Sequence, residues 1–160
     1  EKIALTARHR EKEVNVLERQ TWRDMQVVIC TALREKRHFG GLRMTRLFHR
    51  VWILAACVRD DDVEEAQLAA WLKEETKYDA TPAKMYVGDD RSVRLRSFQR
   101  IFLYFAYVLH NEFDFGGRMI ASVRHACAEI GRELADGQRT MDGMVDALKR
   151  IPRFHFDGRE

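Results

Sequence analysis

The triplet Phe39-Gly40-Gly41 recurs as Phe115-Gly116-Gly117, and sliding the chain against itself by those 76 residues aligns more than the turn. Without a gap, Leu33 falls on Leu109, His49 on His125, Asp60 on Asp136 and Leu72-Lys73 on Leu148-Lys149. Eight of 52 aligned pairs are identical, so the apolar pattern has to carry the comparison, and it does: Trp22 meets Phe98, Met25 Ile101, Ile29 Phe105, Leu47 Val123, Leu54 Ile130 and Leu68 Met144. A repeat of this length predicts two related units, each a helix, a Gly-Gly turn, a helix, a capped turn and a helix, sharing one core with pseudo-twofold symmetry. The units are expected at about 22–79 and 98–157, with a connector over 80–91, inside one domain spanning 1–160.

Apolar periodicity gives the elements. Val14, Leu17, Thr21, Met25, Val28, Ile29, Ala32 and Leu33 recur at spacings of three and four, and no Gly or Pro interrupts residues 3–37. This predicts one long amphipathic helix stopped at the first Gly-Gly. Further helices are expected at about 42–58, 63–76, 92–112, from the second Gly-Gly to Leu134, and 141–150, giving an all-α bundle of about six. The fourth carries apolar residues nearly all round and should be central. All four turn glycines are expected at positive φ, ending helices. Asp62 is expected to cap the third helix, with Glu65 reaching back as in a capping box. In the connector, Met85-Tyr86-Val87 is expected to be extended, and the aromatics of the tail to pack back on the bundle.

With 46% apolar and 33% charged residues, a chain of 160 residues can bury a real core without disulfides or a metal. Its longest apolar run, Ile101 to Leu109, is too short for a bilayer span, so a cytoplasmic protein with no membrane partner is expected. Cys30, Cys57 and Cys127 form an odd set without a Cys-x-x-Cys pair and read as reduced, buried thiols. The six histidines show no metal-ligand spacing, so no metal and no cofactor is expected. His49 and His125, equivalent under the repeat, are expected to pack at the interface between the units. His110, Glu112 and Asp114 group an acid and a base in composition only. Without a nucleophile elbow, P-loop or glycine fingerprint, the chain reads as non-enzymatic.

Charge is segregated along the chain. Lys and Arg outnumber Asp and Glu by 12 to 6 in residues 1–50, and the ratio reverses to 4 against 10 in residues 51–90. The densest cationic stretch, Arg34, Lys36, Arg37, Arg43, Arg46 and Arg50, brackets the first Gly-Gly turn against one acid, Glu35. Arg43, Arg46 and Arg50 stand at helical spacing, as a face tracking phosphates or an acidic protein groove requires. Arg91, Arg94, Arg96 and Arg100 open the fourth helix, where the helix dipole disfavours cations and an anion is needed. The stretch 64–87 has the rough order of a helix-turn-helix, but its first helix is acidic and its second offers only Lys84.

The run FGGLRMTRLFHRVWILAACVRDDDVEEAQLAAWLKEETKYD resembles a pattern in small, mostly uncharacterised helical proteins of bacterial phages and integrative elements. There an aromatic-Gly turn leads a basic helix and a Leu-Lys-Glu-Glu stretch ends the unit. The resemblance covers about a quarter of the chain, carries over no catalytic residue and implies an accessory protein of a mobile element. Two functions are then expected as alternatives. One is a protein that binds a host protein or nucleoprotein through the basic face, as an anti-CRISPR-like inhibitor of a defence effector would. The other is a nucleic-acid-binding transcriptional regulator. Either is compatible with a homodimer.

Overall fold

In the computed structural model, which describes residues 2–83 and 89–156, uninterrupted apolar periodicity becomes six helices and, among the described residues, no strand. They are α1 (Lys2–Arg37), α2 (Gly41–Arg59), α3 (Glu65–Thr76), α4 (Asp90–Phe113), α5 (Gly117–Ala135) and α6 (Met141–Lys149). The 76-residue offset holds at their boundaries: α1 and α4 end, α2 and α5 both begin and end, and α3 and α6 begin at equivalent positions. Backbone conformation follows the same rule. The six positive-φ residues described form three pairs at that offset: His38 with Asp114, Asp61 with Gly137, and Lys77 with Arg153. The chain is two related three-helix units.

The units are interlaced. α1 and α4 pack on each other and run in one direction, since Arg10 meets Asp90 near their starts and Phe39 meets Phe113 and Phe115 at their ends. α2 and α3 of the first unit then pack chiefly on α4, while α5 and α6 of the second pack on α1. Each unit thus lends its second and third helices to the other's first. The arrangement explains why α4 is apolar on nearly every side: Ile101 to Ala106, Val108 and Leu109 are all buried, as are Ile29, Leu33, Leu47, Ile120 and Leu148 around them. Phe154 and Phe156 of the tail pack on Phe48, as expected of them.

The glycines act differently from the expectation. Gly40 and Gly116 have extended backbone (φ −92° and −86°) that any residue adopts, and the left-handed residues are instead His38 and Asp114 (φ 55° and 58°). Gly41 and Gly117 are needed for close approach. A Cβ on Gly41 would collide with the Pro152 carbonyl and stand 2.9 Å from Phe154 N, and one on Gly117 would collide with the Thr76 carbonyl. These contacts are reciprocal under the offset, so each unit's turn is wedged against the end of the other's last helix. Gly41→Ala and Gly117→Ala should each cost about 1–3 kcal/mol in denaturant unfolding, as forced overpacking does. Gly40→Ala, in open space at a helix N-cap, should cost about 1 kcal/mol or less. A larger loss at Gly40 than at Gly41 would contradict this division of roles.

The acidic run also differs. Asp60 ends α2, Asp61 turns left-handed, and the amides of Asp62 and Val63 return to the Cys57 carbonyl, so the run closes α2. The capping box belongs to Glu64 and Gln67 at the start of α3. Thr140 caps α6, its side chain accepting from the Gly143 amide. Cys30 and Cys127 are buried, but Cys57 is only half-buried. Met85-Tyr86-Val87 and Lys84 lie outside the described residues, and no second helix follows α3 before Asp90 among those described.

Candidate functional site

The arginines bracketing the first turn gather at the end of the bundle where α1 and α4 finish. Helix termini leave carbonyls without intrahelical partners, and cations are favoured there. Arg34 donates to the Phe39 carbonyl at 2.9 Å, and Arg43 to the His38 carbonyl at 2.9 Å. Between the two helix ends lie the rings of Phe39, Phe113 and Phe115, and guanidinium groups cover all three. Arg43 lies 4.4 Å from the Phe39 centroid, Arg46 5.2 Å from that of Phe113 and Arg37 5.8 Å from that of Phe115. Stacking of this kind holds the planar group in place and leaves its edges available for hydrogen bonds.

Part of that capacity is already used. Arg46 donates to Glu112 at 2.8 Å and Arg50 stands 3.6 Å from the same carboxylate. Glu35 is held by Arg139, which also grips Glu133. Lys36 is exposed and Arg37 half-buried, with its Nε unpartnered among the described residues. The stripe is therefore a cationic roof with one acid inside it. Both ends of α2's outer face carry exposed apolar side chains: Leu42 is 66% and Ile53 44% exposed, and Arg46 and His49 lie between them at helical spacing.

The second cationic group is dispersed. Arg91 and Arg94 are exposed near the start of α4, where Asp89 caps the helix through the Ser92 amide and Asp90 meets Arg10. Arg94 faces Asp24, whose carboxyl is raised by burial against the attraction of Arg94 and Arg23. Arg96 is half-buried with its Nε unpartnered among the described residues. Arg100 turns the other way, donating to Glu65 at 2.6 Å. The anion that this arginine-rich start needs is thus internal, and the structure does not join Arg91, Arg94 and Arg96 to the roof.

His49 and His125 are both exposed, and His125 pairs with Glu129 at 3.1 Å, so they do not pack between the units as expected. His110, Glu112 and Asp114 serve three separate ends: His110 Nδ1 meets the Phe115 carbonyl at 2.7 Å, Glu112 takes the arginines and Asp114 caps α4. Among the described residues no group of three or more His, Cys, Asp or Glu could hold a metal ion, and no helix is long and apolar enough to cross a membrane.

A further site was absent from the sequence reading. α1, α2 and α4 enclose a cleft of about 580 Å³. Each helix presents to it residues spaced by three, four and seven: Asn15, Glu18, Arg19 and Trp22 from α1, Trp52, Ala55, Ala56 and Arg59 from α2, and Ser97, Arg100, Ile101 and Tyr104 from α4. Only the tertiary arrangement brings these three stretches together. Comparison with protein-family models, curated proteins and solved structures finds no match to this chain.

Proposed function

We propose that the protein is a non-enzymatic binding module that docks an acidic, partly apolar surface of a protein or nucleoprotein on the outer face of α2. One observation carries this reading: the exposed Leu42 and Ile53 lie in a single stripe with Arg46 and His49, beside Arg43 and Arg50. Protein interfaces combine apolar anchors with arginine, whereas most contacts to a duplex go to phosphates and sugars, which two exposed aliphatic side chains serve poorly. The repeat supports a dedicated role. The second unit carries Met119 and Ser122 where the first has Arg43 and Arg46, so the common framework does not require these arginines.

With the resemblance to mobile-element proteins, the partner would be a host protein or nucleoprotein, such as a defence effector that the module inhibits. The competing reading, a nucleic-acid-binding regulator, makes different demands on the same residues. Capture from nuclease-treated lysate should return a protein that is lost both with Leu42→Asp and with the Arg46→Glu/Arg50→Glu double variant, each shown to melt like the parent. Capture of nucleic acid that ignores Leu42→Asp and weakens steeply with salt would favour the regulator. If neither variant alters what is captured, the outer face of α2 is not the docking surface.

A further inference from the structure

We propose that the cleft between α1, α2 and α4 binds a small aromatic anion, a fused-ring system bearing one carboxylate or phosphate. The volume of about 580 Å³ lies within the range of small-molecule sites and would take two or three fused rings. An aromatic ligand is indicated by the walls. Trp22 and Trp52 meet edge to face with centroids 5.9 Å apart, linking the α1 and α2 sides, and Ile101 and Tyr104 are buried beneath them.

The anionic group is indicated by Arg100. Glu65 Oε1 accepts from Arg100 Nε at 2.6 Å and from the Tyr104 hydroxyl at 2.7 Å, which fixes the guanidinium in position. Arg100 Nη1 forms no hydrogen bond among the described residues. Beside it Ser97, only 5% exposed, lines the cleft with a hydroxyl likewise unbonded among the described residues. Arg19 and Arg59 stand on the α1 and α2 walls. Asp60 stands 3.6 Å from Arg59, Glu65 lies behind Arg100 and Glu18 beside Arg19, so the anionic group is called for by the open Nη1 edge of Arg100 and the Ser97 hydroxyl and not by an excess of charge.

The repeat again separates framework from function. At the equivalent positions of the other unit, Ala128 replaces Trp52, Asp24 replaces Arg100 and Val28 replaces Tyr104, while Phe98, in the place of Trp22, is covered by Arg124 at 4.0 Å. The fold forms there without the tryptophan pair and the Arg100-Glu65-Tyr104 group, so those groups are not what the helix arrangement needs.

Titration calorimetry of the full chain tests this with 2-naphthoate, 2-naphthyl phosphate and the neutral 2-naphthylmethanol. At least one of the anions should bind at one site per chain, with the alcohol about tenfold weaker or worse, the scale of a lost charged hydrogen bond. Ala55→Phe, which fills the cleft, should abolish binding while the melt shows a folded protein. Arg100→Gln should weaken the anion about tenfold and leave the alcohol unchanged. If that variant does not fold, Arg19→Gln/Arg59→Gln reads the same charge requirement. Absence of saturable binding by either anion, equal affinity for the alcohol, or binding that survives Ala55→Phe would overturn the proposal.

Discussion

Cut between Ala83 and Asp89, the chain should give two halves that are each unfolded alone and recover the native helical signal when mixed. The reason is the exchange of helices. In the first half α2 and α3 have lost α4, on which they pack, and α1 has lost α5 and α6. Leu47, Leu72, Ile29 and Leu33, all 0% exposed in the whole chain, would lose partners on the other half. Helices of 9 to 36 residues without a packed apolar face are marginal in water, so most of the helical signal should vanish from each half. Circular dichroism of the separate and mixed halves decides the matter. A half that melts cooperatively by itself would mean that the first unit holds a sufficient core and the interlacing is secondary.

The second large effect is expected in alkali. Burial pushes the Cys127 thiol from 9.0 up to about 12, with Arg124 opposing, and burial together with the hydrogen bond to Glu65 pushes the Tyr104 phenol from 10.0 up to about 12, against Arg100. Both groups release protons less readily in the folded chain than in the unfolded one. Their contribution is therefore complete below the unfolded values and is lost as pH rises, from pH 9 for Cys127 and from pH 10 for Tyr104. At about 1.4 kcal/mol per pKa unit, the losses by pH 12 are about 4 and about 2 kcal/mol, comparable with the whole stability of an ordinary domain. Cys30, raised by burial and by its proximity to Cys127, acts in the same direction. Urea midpoints measured from pH 8 to 11 should fall with increasing slope, and Cys127→Ala should flatten the portion that begins near pH 9. A midpoint that holds steady over this range, or a slope indifferent to Cys127→Ala, would show that these buried groups do not govern alkaline stability.

Much of the architecture is legible in the sequence because helices announce themselves through period and interruption. The apolar spacing of Val14 to Leu33 and the absence of Gly or Pro over 3–37 lead directly to α1, and the continuous apolar character of 101–109 marks the helix that α1, α2, α3 and α5 surround. Less legible is the reason for a residue that is correctly located. Gly-Gly after a helix signals both a left-handed stop and a close approach, and only the other unit's backbone beside Gly41 distinguishes them. The acidic run misleads similarly. Asp62-x-x-Glu65 and Glu64-x-x-Gln67 both resemble capping boxes, and the hydrogen bonds to Cys57 decide in favour of the second. The basic stripe is visible as composition, but its placement over Phe113 and Phe115 joins residues far apart in sequence. The cleft leaves no local trace, because its walls come from three helices whose neighbouring turns are unremarkable singly.

Helix exchange also has a consequence for synthesis. The ribosome delivers α1, α2 and α3 before the elements that cover them, so for the time taken to make residues 90–149 the nascent chain presents apolar faces with no partner in cis. Folding of the first unit therefore waits on the second, and α4, the first of the later helices to emerge, is the one that covers α2 and α3.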